Sequence, residues 1–160
     1  MTRGALAEMR TLLLELRPAA LTQTRLPDLI KQLCEALIGR SRLPIQLIIE
    51  GDGDLPPDVQ IAFYRIAQES LNNVIKYARA KQVRVELSVS SMSVRYSITD
   101  DGTGFDPLQV KPTSLGMRIM RERADGIGAD LRVHSAPGSG TIVEAFWTKH
   151  PATIREGREV

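Results

Sequence analysis

Residues 57–79, PDVQIAFYRIAQESLNNVIKYAR, hold no Gly and no Pro after the first position. That is length for about six turns of helix. A helix this long obliges the rest of the chain to bury one of its sides. At about 100° per residue, Phe63, Ile66, Ala67, Ser70, Leu71, Val74 and Ala78 fall on one side, and Arg65, Glu69, Asn72, Asn73 and Lys76 fall on the other. Glu69, Asn73 and Lys76 therefore point the same way. A carboxylate, an amide and an amine so placed suit a magnesium–phosphate group. The carboxylate orients or deprotonates a nucleophile, the amide oxygen is a hard ligand for Mg²⁺, and the amine is a point charge for phosphate. A solvated helix face carries the same residue types, so the stripe alone leaves both readings open.

The flanking sequence supplies what such a helix packs against. Residues 3–17 read as a helix with Leu6, Met9, Leu13 and Leu16 on one face, stopped by Pro18. Its abrupt start suggests a piece of something longer. A second helix is predicted from Leu26 to Arg40, with Pro27 and Asp28 in its first turn, Gly39 near its end, and Leu29, Ile30, Leu33, Ala36 and Leu37 inward. Residues 44–50 form a short β run before the turn Gly51–Asp54. Residues 82–90 and 92–99 alternate apolar and polar and predict a hairpin, with Val83, Val85, Leu87, Val89, Val94, Tyr96 and Ile98 inward. A loop follows to Ser114, then a helix from Gly116 to Gly126 with Ile119, Met120 and Ala124 inward. Residues 129–135 and 141–148 are two further strands around the turn Ala136–Gly140. The fold class is α+β. A two-layer sandwich fits, with about five strands and three helices on one face, behind a helical stub.

The apolar supply is adequate: 42% of the chain is hydrophobic, mostly aliphatic, and 160 residues make one domain with room for an appendage. The net charge of +2 and the lack of a basic, aromatic-interleaved cluster argue against nucleic acid as a partner. No apolar run approaches 18 residues, so direct membrane contact is not expected and a cytoplasmic location is. One cysteine, Cys34, reads as a buried inert thiol in a reducing compartment.

Three short motifs carry chemistry. Asp100-Asp101-Gly102-Thr103-Gly104 follows the second hairpin strand. A carboxylate there accepts a hydrogen bond from an exocyclic amine such as that of adenine, and Gly102 and Gly104 let backbone and ligand come close. A surface turn is the competing reading. Ser114-Leu115-Gly116-Met117 opens a helix whose first N–H groups favour a phosphate, although Thr113 or Ser114 also suits a plain N-cap. Pro137-Gly138-Ser139-Gly140-Thr141 is most simply a hairpin turn. Neither a dinucleotide-binding glycine fingerprint nor a GxxxxGK[ST] loop is present.

The order of these motifs is more telling than any one of them. A helix with ExxxN and KY, a strand ending in DxGxG, a loop leading to a Gly at a helix start, and GxGT before the last strand follow one another. Over residues 25–148 the chain resembles the ATP-binding catalytic domain of sensor histidine kinases, a branch of the ATPase superfamily that includes gyrase B, HSP90 and MutL. YRIAQESLNNVIKYARA, LGMRIMRERA and APGSGT look most like the subfamily paired with response regulators that carry LuxR-type DNA-binding domains. EMRTLLLELRPAAL resembles the end of that subfamily's dimerisation and phosphoacceptor helices.

The resemblance implies the Bergerat ATP-binding fold over residues 19–148, a helical remnant over 1–18 and a flexible tail over 149–160. It implies ATP and Mg²⁺ as cofactors, with Asn73 on the metal, Glu69 positioning the attacking group, and Lys76 and Tyr77 near phosphates and nucleotide. Asp100 would read the adenine amine, with Gly102 and Gly104 shaping the same wall and Thr141 sharing a water with Asp100 and the base. Gly116 and Met117 would form the phosphate-side helix start, and residues 106–114 the ATP lid. Ser114 stands where the family often has a first Gly. The implied partners are the dimerisation and phosphoacceptor domain and a response regulator. The implied acceptor is a histidine on a helix; His134 falls in a strand and His150 in the tail, so little autophosphorylation is expected of this chain alone. Two competing readings are a stand-alone serine kinase of anti-sigma type and a non-catalytic nucleotide-sensing module.

Overall fold

The computed structural model of the chain describes residues 3–109 and 115–150. The expected cap at Thr113 or Ser114, the later part of the expected lid and the tail 151–160 lie outside the described residues. Helix α1 (Arg3–Leu16) runs into a 3₁₀ turn (Pro18–Thr22), followed by α2 (Leu26–Ser41), β1 (Ile45–Gly51) and α3 (Pro57–Asn73). A π-helical turn (Val74–Ala78) leads to β2 (Val83–Val89), β3 (Ser93–Asp100), α4 (Leu115–Gly126), β4 (Asp130–Ser135) and β5 (Thr141–Thr148). The strands form one mixed sheet in the order β1-β2-β3-β5-β4. β1 runs parallel to β2, and the other pairs are antiparallel. This is the expected α+β sandwich.

The alternation in the strands sets the layers. Val83, Val85, Leu87, Val89, Val94, Tyr96, Ile98, Val143, Ala145 and Trp147 are buried, while their neighbours Arg84, Arg95, Glu144 and Phe146 face outward and are exposed. The inner face meets the apolar side of α3, where Phe63, Ile66, Ala67, Ser70 and Leu71 are buried as their spacing predicts. α3 starts well despite lacking a side-chain cap, because Pro stands at its first positions and the Asp58 carboxylate accepts the Val59 N–H at 3.0 Å. Leu71, 1% exposed, anchors the layer, and its truncation to Ala would cost about 2–5 kcal/mol.

Three features depart from the sequence reading. α2 continues one residue past the expected Arg40, to Ser41, and ends on Arg42 in the left-handed region (φ 56°). Gly39, near its end, abuts Gly4 of α1, where the missing side chains let two helices approach closely. α1 lies along α2 and leaves Leu6, Met9, Leu12 and Leu13 exposed; the side chain of Leu16 lies outside the described residues. The long helix does not run α-helical to Arg79. It widens into the π turn, and Arg79 (φ 50°) ends it.

Gln60 also breaks the polar-out pattern. It is buried, and its Nε2 donates to the carbonyls of Leu21 and Thr24, each at 2.6 Å. A buried amide is tolerated when its hydrogens are spent in this way. The contact ties the 3₁₀ turn to the first turns of α3.

Candidate nucleotide site

The C-terminal part of α3, the π turn, the end of β3 and the starts of α4 and β5 converge on a cavity of about 260 Å³. Its apolar wall includes Val74, Ile98, Met117, Met120, Val133 and Val143. Asp100 supplies the buried carboxylate in this wall and is 4% exposed. Burial raises its pKa; the Gly102 N–H, donating to Oδ1 at 2.8 Å, opposes that rise, the neighbouring Asp101 charge adds to it, and the Thr141 N–H opposes it. The sheet register puts Asp100 directly opposite Thr141 on β5.

Asn73 lines the same cavity as Asp100. So do Tyr77, Gly104, Met117 and Thr141. The other candidate residues lie just behind or beside it. Gly102 packs on the backbone of Ala78, and the adjoining Thr103 N–H donates to the Ala78 carbonyl at 2.7 Å, so the DxGxG loop caps the π turn. Gly104 adopts φ 61°, and a Cβ there would also meet the Ala136 carbonyl. Gly116 sits on the polar stripe: a Cβ at this position would overlap the Glu69 carboxylate and come within 3.3 Å of the Asn73 amide nitrogen. Glu69 is thereby placed beside Asn73 and beneath the first turn of α4.

Lys76 is exposed and outside the cavity lining, whereas Tyr77, 72% exposed, lines its mouth. The wider turn at 74–78 interrupts the α period on which the stripe containing Lys76 was drawn.

Several residues were not singled out from the sequence. Ser70 lines the cavity and shares a hydrogen bond of 2.9 Å with the Tyr96 hydroxyl. Ser135, at the end of β4, has three partners: the Phe105 N–H at 2.9 Å, the Gly140 carbonyl at 2.9 Å and the Thr141 hydroxyl at 2.8 Å. Asp101 points away and accepts the Gln82 and Lys81 N–H groups, which hold its pKa below the ordinary value. The sequence carries a signal for Ser70, on the inward side of the helix, but none for Ser135. His134 is exposed on β4, 3.9 Å from Glu144.

An apolar slot closed by one carboxylate fits a purine carrying an exocyclic amine. An amide and a carboxylate at the outer end fit a Mg²⁺ that keeps most of its ligands as water and phosphate oxygen. No cluster of three or more His, Cys, Asp or Glu able to hold a metal by itself occurs among the described residues. Among them, too, no helix is long and apolar enough to cross a membrane.

The chain is similar to known proteins in sequence and in fold. The chain is 36% identical over 137 residues to the sensor histidine kinase LiaS of Bacillus subtilis (strain 168), covering 86% of this chain and 38% of that protein. It is 34% identical over 145 residues to the sensor protein VraS of Staphylococcus epidermidis, covering 90% of this chain and 41% of that protein. The chain thus spans about two fifths of these relatives. Among solved structures, the histidine kinase domain of the Erythrobacter litoralis EL346 blue-light activated histidine kinase aligns with a TM-score of 0.57 at 27% identity, over 74% of this chain and 59% of that one. The family described as histidine kinase-, DNA gyrase B- and HSP90-like ATPases matches residues 58–152. The chain belongs to this ATPase family.

Proposed function

We propose that this chain is the ATP-binding catalytic domain of a two-component sensor histidine kinase, acting on a histidine carried by a dimerisation helix. The observation that carries the reading is that Asp100 and Asn73 line one cavity, from the base end and the metal end. Asp100 and Thr141 take the adenine edge, against the wall built by Gly102 and Gly104. Asn73 holds Mg²⁺. Glu69 aligns the attacking imidazole. Gly116 and Met117 bring the α4 start to the phosphates, Tyr77 covers the mouth, and Lys76 contributes charge from outside. Bound Mg-ATP supplies the transferable phosphoryl group and the cation that neutralises it. The residues' share is positioning and charge placement, which phosphoryl transfer chiefly requires.

Residues 1–18 fit the end of a dimerisation and phosphoacceptor helix, as the exposed Leu6, Met9, Leu12 and Leu13 support. Residues 149–160 serve as a tail. The partners in this reading are the phosphoacceptor domain and a response regulator with a LuxR-type output domain, in the cytoplasm. Neither His134, on a strand, nor His150 stands on a helix, so the acceptor comes from a separate segment.

Calorimetric titration with ATP and GTP, with and without Mg²⁺, tests the site. ATP preference that is lost in Asp100→Asn, together with a Mg²⁺ dependence that is lost in Asn73→Ala, supports the reading. Absence of ATP binding ends it. Labelled ATP with a separately supplied phosphoacceptor helix pair tests the chemistry: label on histidine is expected, and label reaching only a serine of a partner overturns it.

A further inference from the structure

We infer that Asp101 is a positioning residue for the nucleotide, a staple outside the cavity that holds two of its wall segments together; this rests on the nucleotide-site reading above. One segment is the exit of the π turn, where Tyr77 and Ala78 line the cavity. The other is the DxGxG loop, where Asp100, Thr103 and Gly104 line it. The β2–β3 hairpin brings the two side by side, but its ladder stops short of both. The terminal pair at this end is Val83 with Asp100. Beyond that pair, the wall needs another fastening.

Asp101 supplies it. Its Oδ1 accepts the N–H of Lys81 at 2.8 Å and that of Gln82 at 3.1 Å, two donors that stand just ahead of β2. A carboxylate oxygen makes a stronger tie to such donors than a neutral acceptor does. The next bond inward runs from the Thr103 N–H to the Ala78 carbonyl at 2.7 Å, with Gly102 packed on the backbone of Ala78. Asp101 is exposed and does not line the cavity, so it touches no nucleotide. Its effect passes through its chain neighbours, Asp100 on one side and Thr103 on the other. When the staple is removed, the loop lifts from the π turn, and the Asp100 carboxylate loses its fixed distance from Tyr77 across the mouth.

The test pairs amide hydrogen exchange with calorimetric titration of the 160-residue chain by Mg-ATP, below the melting temperature of every variant. In Asp101→Ala the amides of Lys81, Gln82 and Thr103 are expected to exchange faster, and ATP affinity to fall about tenfold, the scale of one net hydrogen bond. Asp101→Asn keeps an oxygen for the same two donors and should restore most of both the protection and the affinity. Faster exchange confined to Lys81 and Gln82, with Thr103 protection and ATP affinity unchanged, would make Asp101 a local cap. That result overturns the inference while leaving the ATP site standing. An Asn variant as weak as the Ala variant overturns it too, because charge and not the staple would then carry the effect. A wild-type chain that binds no Mg-ATP removes the site and this inference with it.

Discussion

The backbone of Gly116 lies directly on the side chain of Glu69, so closely that a Cβ at 116 would overlap the carboxylate oxygen. The start of α4 and the polar stripe of α3 therefore share one small volume, and only a residue without a side chain leaves the carboxylate where it is. Gly116→Ala should displace Glu69 while leaving the base slot intact. Transfer to a supplied phosphoacceptor helix pair is expected to fall about 100-fold, well beyond the loss of Mg-ATP affinity that crowding of the nearby Asn73 amide brings. Single-turnover transfer rates set beside calorimetric affinities check this split. A loss confined to affinity would mean that Glu69 is not the group displaced.

Asp100 makes the site sensitive to acid. Its pKa is raised, chiefly by burial and against the pull of the Gly102 N–H, so it takes up a proton at a pH where an ordinary aspartate is still ionised. ATP affinity should fall on mild acidification, and Asp100→Asn should flatten that profile. The stability sign is opposite. A carboxyl with a raised folded pKa contributes most below its unfolded value and loses that contribution as pH rises through the folded value. Asp100→Asn should therefore raise the Tm of the ligand-free chain at neutral pH and not at low pH, as calorimetry in two buffers can test.

Ser70 and Tyr96 predict an asymmetric pair of mutants. Ser70 donates to the Ala67 carbonyl at 3.0 Å and accepts from the Tyr96 hydroxyl, which is fully buried. Tyr96→Phe removes one bond and leaves Ser70 its donation, so about 0.5–1.5 kcal/mol is lost. Ser70→Ala strands the Tyr96 hydroxyl in the core, so up to about 3 kcal/mol is lost. Urea denaturation of both variants checks the order, and equal losses would refute it.

Cys34 should be silent in the folded chain. Burial, with the nearby Glu35 charge second, pushes its thiol pKa up to about 12. At pH 8 that leaves about one thiolate in ten thousand to react. A disulfide exchange reagent should label it only as fast as the chain opens, and with a burst once denaturant is added.

Much of this architecture was legible because it follows from local periods. The β alternation named the inward residues of β2 and β3, and the helical period of 57–73 named Phe63, Ile66 and Leu71. Asp100 was legible because a strand end followed by Gly-x-Gly is a short-range pattern. What escaped notice depends on partners distant in sequence. Ser135 accepts the N–H of Phe105, 30 residues earlier. Gln60 looks like an ordinary surface amide until the carbonyls of Leu21 and Thr24 arrive. Gly39 stands near a helix end as its spacing predicts, but its contact with Gly4 of another helix has no local signal. The π turn has no side-chain signature; its last carbonyl is taken by Thr103 from a loop 25 residues away.

The amide clamp at Gln60 has a mechanical consequence. Leu21 and Thr24 are held to α3 by two short hydrogen bonds, so the segment from Leu21 onward turns with the sandwich as one rigid part. Because α1 also lies along α2, with Gly4 against Gly39, cutting Gln60 back to Ala would loosen the 3₁₀ turn while leaving that helix pair in contact.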